Sequence, residues 1–176
     1  MYDKYILKYI FTNINFFKEI NQDIEIKESQ ALYAKQAREL ELFNKKLGLI
    51  GTGNIAQATA KLAEAFAMNV VYYSPSGRKT VGTAACVSLN QLLTTSDIIS
   101  IHCPLTAQSQ RLIGKAQLAL TKPSALLINT ARGPIVDIDA LLNALQSNQL
   151  AGAGLDVLPE EPPAPDAAIM QALNNP

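Results

Sequence analysis

The stretch that most constrains this chain is LGLIGTGNIA, residues 47–56. It is an apolar run that breaks into two closely spaced glycines and resumes with helical spacing. A strand, a tight turn and a helix start follow from that order. Gly51 permits a sharp turn without a Cβ clash, Gly53 lets the main chain come close to a phosphate group, and small Ala56 allows close packing of helix on strand. The first turn of the helix then presents unpaired N–H groups to an anion. Glycine-rich turns are common, and the setting of this one, after an apolar run and before an alanine-rich helix, is what marks it as a phosphate-binding turn.

Such a unit needs a sheet and a core around it. With 176 residues, 48% of them hydrophobic, the chain is long enough for one sizeable domain. Its 15 basic and 15 acidic side chains leave no net field to draw a polyanion or a membrane surface, so neither nucleic acid nor membrane is expected as a partner. Cys86 and Cys103 lie far apart, without metal-ligand neighbours, as reduced thiols do in a cytosol. Charged and polar residues interrupt the apolar character of residues 1–17, so a soluble, cytoplasmic protein without a leader is expected.

In residues 5–20, Ile6, Leu7, Ile10, Phe11, Ile14, Phe17 and Ile20 recur at helical intervals, which predicts an N-terminal amphipathic helix. Residues 21–46 read as a polar connector with one weak helix. This divides the chain into a helix and connector at 1–46 and a main domain at 47–176. From residue 47 onward, candidate strands at 47–50, 69–73, 84–87, 98–102, 125–129 and 152–157 alternate with candidate helices at 55–67, 89–95, 115–120 and 138–146. Several strands are apolar almost throughout, as parallel strands covered on both faces are. The alternation predicts an α/β fold, a doubly wound parallel sheet of the Rossmann type. Asp137 is placed to cap the helix it precedes, Asp97 reads as a turn residue, and His102 as the end of a strand. Four prolines between residues 159 and 165 break regular structure, and a last short helix is expected over 166–173.

Four ordered stretches resemble the D-isomer-specific 2-hydroxyacid dehydrogenases. They are the glycine turn with its strands at 47–73, SDIISIHCPLT within 92–114, INTARG within 121–137, and GLDV at 154–157 continuing to Glu161 and Pro162. The resemblance implies that the chain from residue 47 is an NAD(P)-binding Rossmann domain, with Gly51, Gly53 and the backbone of Asn54 and Ile55 at the pyrophosphate. It implies that Cys103 and Pro104 contact the cofactor ribose, that Thr130, Ala131 and Arg132 line the nicotinamide side, and that Asp156 contacts the carboxamide. The candidate catalytic residues it implies are Arg132, which would hold the carboxylate and carbonyl of a 2-hydroxy or 2-oxo acid, and Glu161, which would orient a histidine and favour its protonated form. A guanidinium suits the first task because its fork pairs two oxygens and its charge does not titrate.

The chain departs from the family pattern in four respects. Members that use NAD carry an acidic residue at the end of the second strand, and here that position is Ser74, 21 residues after Gly53, followed by Ser76, Arg78 and Lys79. A carboxylate would repel a 2′-phosphate, whereas Ser74, Ser76, Arg78 and Lys79 could receive one, so NADP is favoured over NAD. Ala67 stands where a glycine is common. The family's proton-transferring histidine shortly after Glu161 is absent, since His102 is the only histidine in the chain. With no glycine-rich substrate-binding loop upstream either, the expectation is the cofactor-binding portion of a dehydrogenase, incomplete at its C-terminal end and not fully competent in isolation. The alternative from another class is a corepressor-like, nucleotide-binding interaction protein without catalysis. Family resemblance also implies a homodimer paired through the cofactor domain.

Overall fold

The computed structural model describes residues 42–74, 80–164 and 167–174. The expected N-terminal helix at 5–20, most of the connector, and Ser76, Arg78 and Lys79 lie outside the described residues.

Six strands form one wholly parallel sheet: β1 (Lys46–Ile50), β2 (Asn69–Tyr73), β3 (Ala85–Cys86), β4 (Ile98–Ile101), β5 (Leu126–Asn129) and β6 (Gly152–Leu155), in the order β3-β2-β1-β4-β5-β6. The order reverses between β1 and β4, as expected for a doubly wound Rossmann sheet, and ligands of such sheets bind in the crevice at that reversal. Strand β2 has the bounds its apolar run predicts and β1 begins one residue earlier, while β3, β4, β5 and β6 are shorter than their runs suggest. Most reduced is the third: of residues 84–87, only Ala85 and Cys86 pair, and both are exposed at the sheet edge.

Residue alternation along β1 divides the core in two. Leu47 and Leu49 belong to one core cluster with Ala56, Ala60 and Ala63 of α1 (Asn54–Ala65), while Ile50 belongs to another that includes residues of α2 (Leu89–Thr95) and α4 (Ile138–Gln146). Successive residues of a strand face opposite sides, so one apolar run serves both layers. Three alanines at helical spacing keep α1 close to the sheet. On the other face, Gly48 gives α2 the same proximity, because a Cβ there would come within 2.6 Å of a Leu92 methyl. Two short helices complete the set, α3 (Lys115–Leu118) and α5 (Ala168–Asn174).

The helix ends follow local chemistry. Ser88 Oγ accepts a hydrogen bond from Gln91 N–H at the start of α2, and Asp137 Oδ1 accepts one from Ala140 N–H at the start of α4, as its position in the sequence predicts. At the other end of α1, Ala67 takes φ +55° and donates to the Glu64 carbonyl, while Met68 N–H donates to Ala63. This is a Schellman stop, which normally carries glycine at that residue. Asp97 does more than turn the chain. Its carboxylate accepts from Lys46 N–H and from Lys122 Nζ, each at 2.8 Å, tying the start of β1 to the loop before β5.

Candidate functional site

The carboxyl ends of β1, β4, β5 and β6 and the N-terminus of α1 meet along one edge of the sheet. Gly51 leaves β1 at φ +117°, a conformation that L side chains rarely adopt. A Cβ there would lie 2.7 Å from both Cys103 N and the His102 carbonyl carbon, so the turn presses on the chain leaving β4. Gly51 N–H donates to Tyr73 O at 2.9 Å and His102 N–H to Ile50 O at 2.8 Å, which fixes the ends of β2, β1 and β4 side by side. Gly53 differs. It is extended and exposed, and a Cβ on it would meet nothing within 4 Å among the described residues. The first intrahelical bond of α1 runs from Gln57 N–H to Gly53 O, which leaves the N–H groups of Asn54, Ile55 and Ala56 at the open end of the helix. An anion placed there gains both donors and the positive end of the helix dipole.

Ser74 follows β2 directly, and its hydroxyl is buried without a hydrogen-bond partner among the described residues. Beyond β4, Cys103 is buried and Pro104 exposed. The buried Ser109 hydroxyl shapes this loop by donating to Pro104 O and accepting from Thr106 N–H, both at 2.7 Å. Burial pushes the Cys103 thiol above its ordinary range, so it stays protonated. His102 Nε2 lies 2.9 Å from Ser100 Oγ, and burial lowers its pKa, so the imidazole is held neutral.

After β5, Thr130 and Arg132 are exposed while Asn129 is fully buried. The Asn129 amide holds the loop by both ends, accepting from Ala131 N–H and donating to Arg132 O, each at 3.0 Å. Arg132 Nη1 in turn donates to Ala131 O at 2.6 Å. The next residue, Gly133, lies so close to the Leu158 carbonyl that a Cβ would overlap it. That approach packs the loops after β5 and β6 together, and within the second of them Leu158 N–H donates to Glu161 Oε1 at 2.7 Å. Asp156 is exposed at the end of β6, its N–H bound to Asn129 O at 3.0 Å. Arg132 and Glu161 thus belong to touching loops without a hydrogen bond between them. Of the residues organising this edge, Asn129 and Ser109 are the ones that motif reading leaves without a role. Their signal is a polar side chain at a strand end or in a short loop, which sequence alone does not separate from a solvated one.

A model of the D-isomer specific 2-hydroxyacid dehydrogenase NAD binding domain matches residues 9–175. The chain belongs to this family, a family of enzymes. A glyoxylate reductase from Thermococcus litoralis is 48% identical over 125 residues, covering 69% of this chain and 38% of that protein. A D-lactate dehydrogenase with NAD+ from Lactobacillus jensenii has a TM-score of 0.69 at 36% identity, covering 74% of this chain and 42% of that one. An acyclic imino acid reductase in complex with NADPH and D-Arg reaches 0.70 at 31% identity, covering 97% of this chain and 54% of the other. The chain spans less than half the length of the curated relatives it matches. Among the described residues, no helix is long and apolar enough to cross a membrane.

Proposed function

We propose that this chain supplies the dinucleotide-holding part of an NAD(P)-dependent oxidoreductase that interconverts 2-hydroxy and 2-oxo acids. The observation that carries this reading is the open N-terminus of α1 beside the exposed Gly53 at the reversal of the sheet, a space that fits a pyrophosphate. The nicotinamide dinucleotide, when bound, gives or accepts a hydride. The chain's own residues bind and orient. Asn54 and Ile55 N–H groups take the pyrophosphate, Cys103 and Pro104 the adjoining ribose, Thr130 and Ala131 the nicotinamide side, and Asp156 the carboxamide. Arg132 pairs the carboxylate of the acid. Glu161 favours the charged form of a proton-transferring imidazole through its free carboxylate oxygen. His102, whose Nε2 lies 2.9 Å from Ser100 Oγ just after β4, is not assigned that role.

NADP is the preferred cofactor in this reading. Ser74 places a buried, unpartnered hydroxyl among the described residues where an acidic side chain would repel a 2′-phosphate, and Arg78 and Lys79 follow in sequence. Titrating the chain with NADPH and NADH by nucleotide fluorescence tests both parts. Binding of neither sinks the function, while tighter binding of NADH sinks only the preference.

A pairing of two copies is favoured by one observation. Ile55, Leu62 and Phe66 project from one stripe of α1 and are 67%, 65% and 60% exposed, an apolar face suited to a partner. Under the corepressor-like alternative, NADPH would change the association of this face with no oxidation of 2-hydroxy acids. Light scattering with and without NADPH, run beside a turnover assay, separates the two readings.

A further inference from the structure

We propose that Asn129 is a positioning residue, which sets the orientation of the Arg132 guanidinium for an anionic substrate; the substrate part of this inference rests on the function proposed above. Three hydrogen bonds form a closed circuit. Ala131 N–H donates to Asn129 Oδ1, Asn129 Nδ2 donates to Arg132 O, and Arg132 Nη1 donates to Ala131 O. The first two fix the peptide groups on either side of Ala131 and Arg132. The third anchors the guanidinium on the carbonyl that those peptides orient, leaving its remaining N–H groups for a ligand.

Each partner is suited to the task. The Asn129 side chain is fully buried and sits at the end of β5, flanked by β4 and β6, so its amide starts from a rigid element. Arg132 is exposed, and an exposed arginine otherwise spreads over many rotamers. Holding one of its nitrogens at 2.6 Å from a fixed carbonyl removes much of that freedom before a ligand arrives. The loop cannot relax away on its far side, because Gly133 abuts the Leu158 carbonyl. An amide alone does both jobs. A carboxylate at residue 129 would still accept from Ala131 N–H, but it would repel the Arg132 carbonyl and compete for the guanidinium.

Asn129→Asp and Asn129→Ala in the full chain test this, with oxamate, a small 2-oxo carboxylate mimic, titrated into the chain saturated with reduced dinucleotide. The expected result is oxamate binding weakened about tenfold in both variants and dinucleotide binding weakened less, by no more than about threefold, through the Ala131 peptide that Asn129 also holds. Unchanged oxamate affinity would overturn the proposal, as would an equal loss for both ligands, which is what general loosening of the fold produces. Amide exchange reads the brace without any ligand. Ala131 N–H should exchange at least about tenfold faster in Asn129→Ala than in the parent, and equal rates would overturn the proposal. A parent chain that binds no dinucleotide would count against the proposed function, and the exchange comparison would still decide the role of Asn129.

Discussion

The Leu158 carbonyl fills the space that a side chain on Gly133 would occupy, so the loop bearing Arg132 and the loop bearing Glu161 pack backbone against backbone. Neither loop has a flexible side-chain end to yield at this contact. Gly133→Ala is therefore expected to cost at least about 1–3 kcal/mol, the range for overpacking a well-filled site. Urea unfolding of the two chains measures it, and equal midpoints would show that the loops separate freely.

Gly51 and Gly53 should respond in opposite ways to the same change. Gly51→Ala meets the backbone of His102 and Cys103 at 2.7 Å and must also hold φ near +117°, so a loss above about 2 kcal/mol is expected. Gly53→Ala meets nothing among the described residues, and its stability should stay within about 1 kcal/mol of the parent. Its dinucleotide affinity should nonetheless fall, since the added methyl enters the space assigned to the pyrophosphate. An affinity that survives Gly53→Ala would put the phosphate elsewhere.

Ala67→Gly should stabilise the chain. Ala67 holds φ +55° at the end of α1, where a Cβ costs about 1 kcal/mol and glycine does not incur it. The melting temperature should rise by roughly 2–4 °C. A fall would mean that the lost methyl, or added freedom in the unfolded chain, outweighs the relieved conformation.

Acid should weaken the fold in two separate windows. Burial holds the His102 pKa below its ordinary value, so the unfolded chain takes the proton first; its contribution is complete above about pH 6.5 and is lost as pH falls through the folded value. His102→Gln should flatten the stability profile below about pH 6.5, because the chain has no other histidine. An unaltered slope would assign it to other groups.

Asp97 acts at lower pH. Partial burial alone would raise its pKa, but the Lys122 and Lys46 hydrogen bonds, with the charges of Lys122 and Lys45, outweigh burial and hold it below the usual value. Its contribution is present above about pH 3.9 and disappears as pH drops through the lower folded value. With Lys122 37% exposed, water screens the pair, and Asp97→Asn should cost about 1 kcal/mol at neutral pH. Unchanged stability at pH 7 would show that the exposed pair contributes nothing.

Much of the fold was legible because its signals are local. The apolar run of β1, the alanine spacing of α1 and the cap at Asp137 each report geometry within a few residues. Helices α2 and α4 have the boundaries that periodicity predicts. The third strand shrank to two residues because an edge strand has one neighbour, and pairing, which propensity does not record, determines how far it extends. Asp97 looked like a turn residue for the same reason. Its partners, Lys46 and Lys122, are 51 and 25 residues away.

The sequence by itself determined the parallel α/β architecture, the glycine turn and the family, since all three rest on residue types at short, fixed spacings. Tertiary structure alone decided which of the two glycines is a steric necessity and which leaves a space, for both occupy the same short motif. It also decided that Asn129 holds the Arg132 loop and that Gly133 locks it to Leu158. Those contacts join strand ends brought side by side by the sheet, and no spacing along the chain encodes the distance between them.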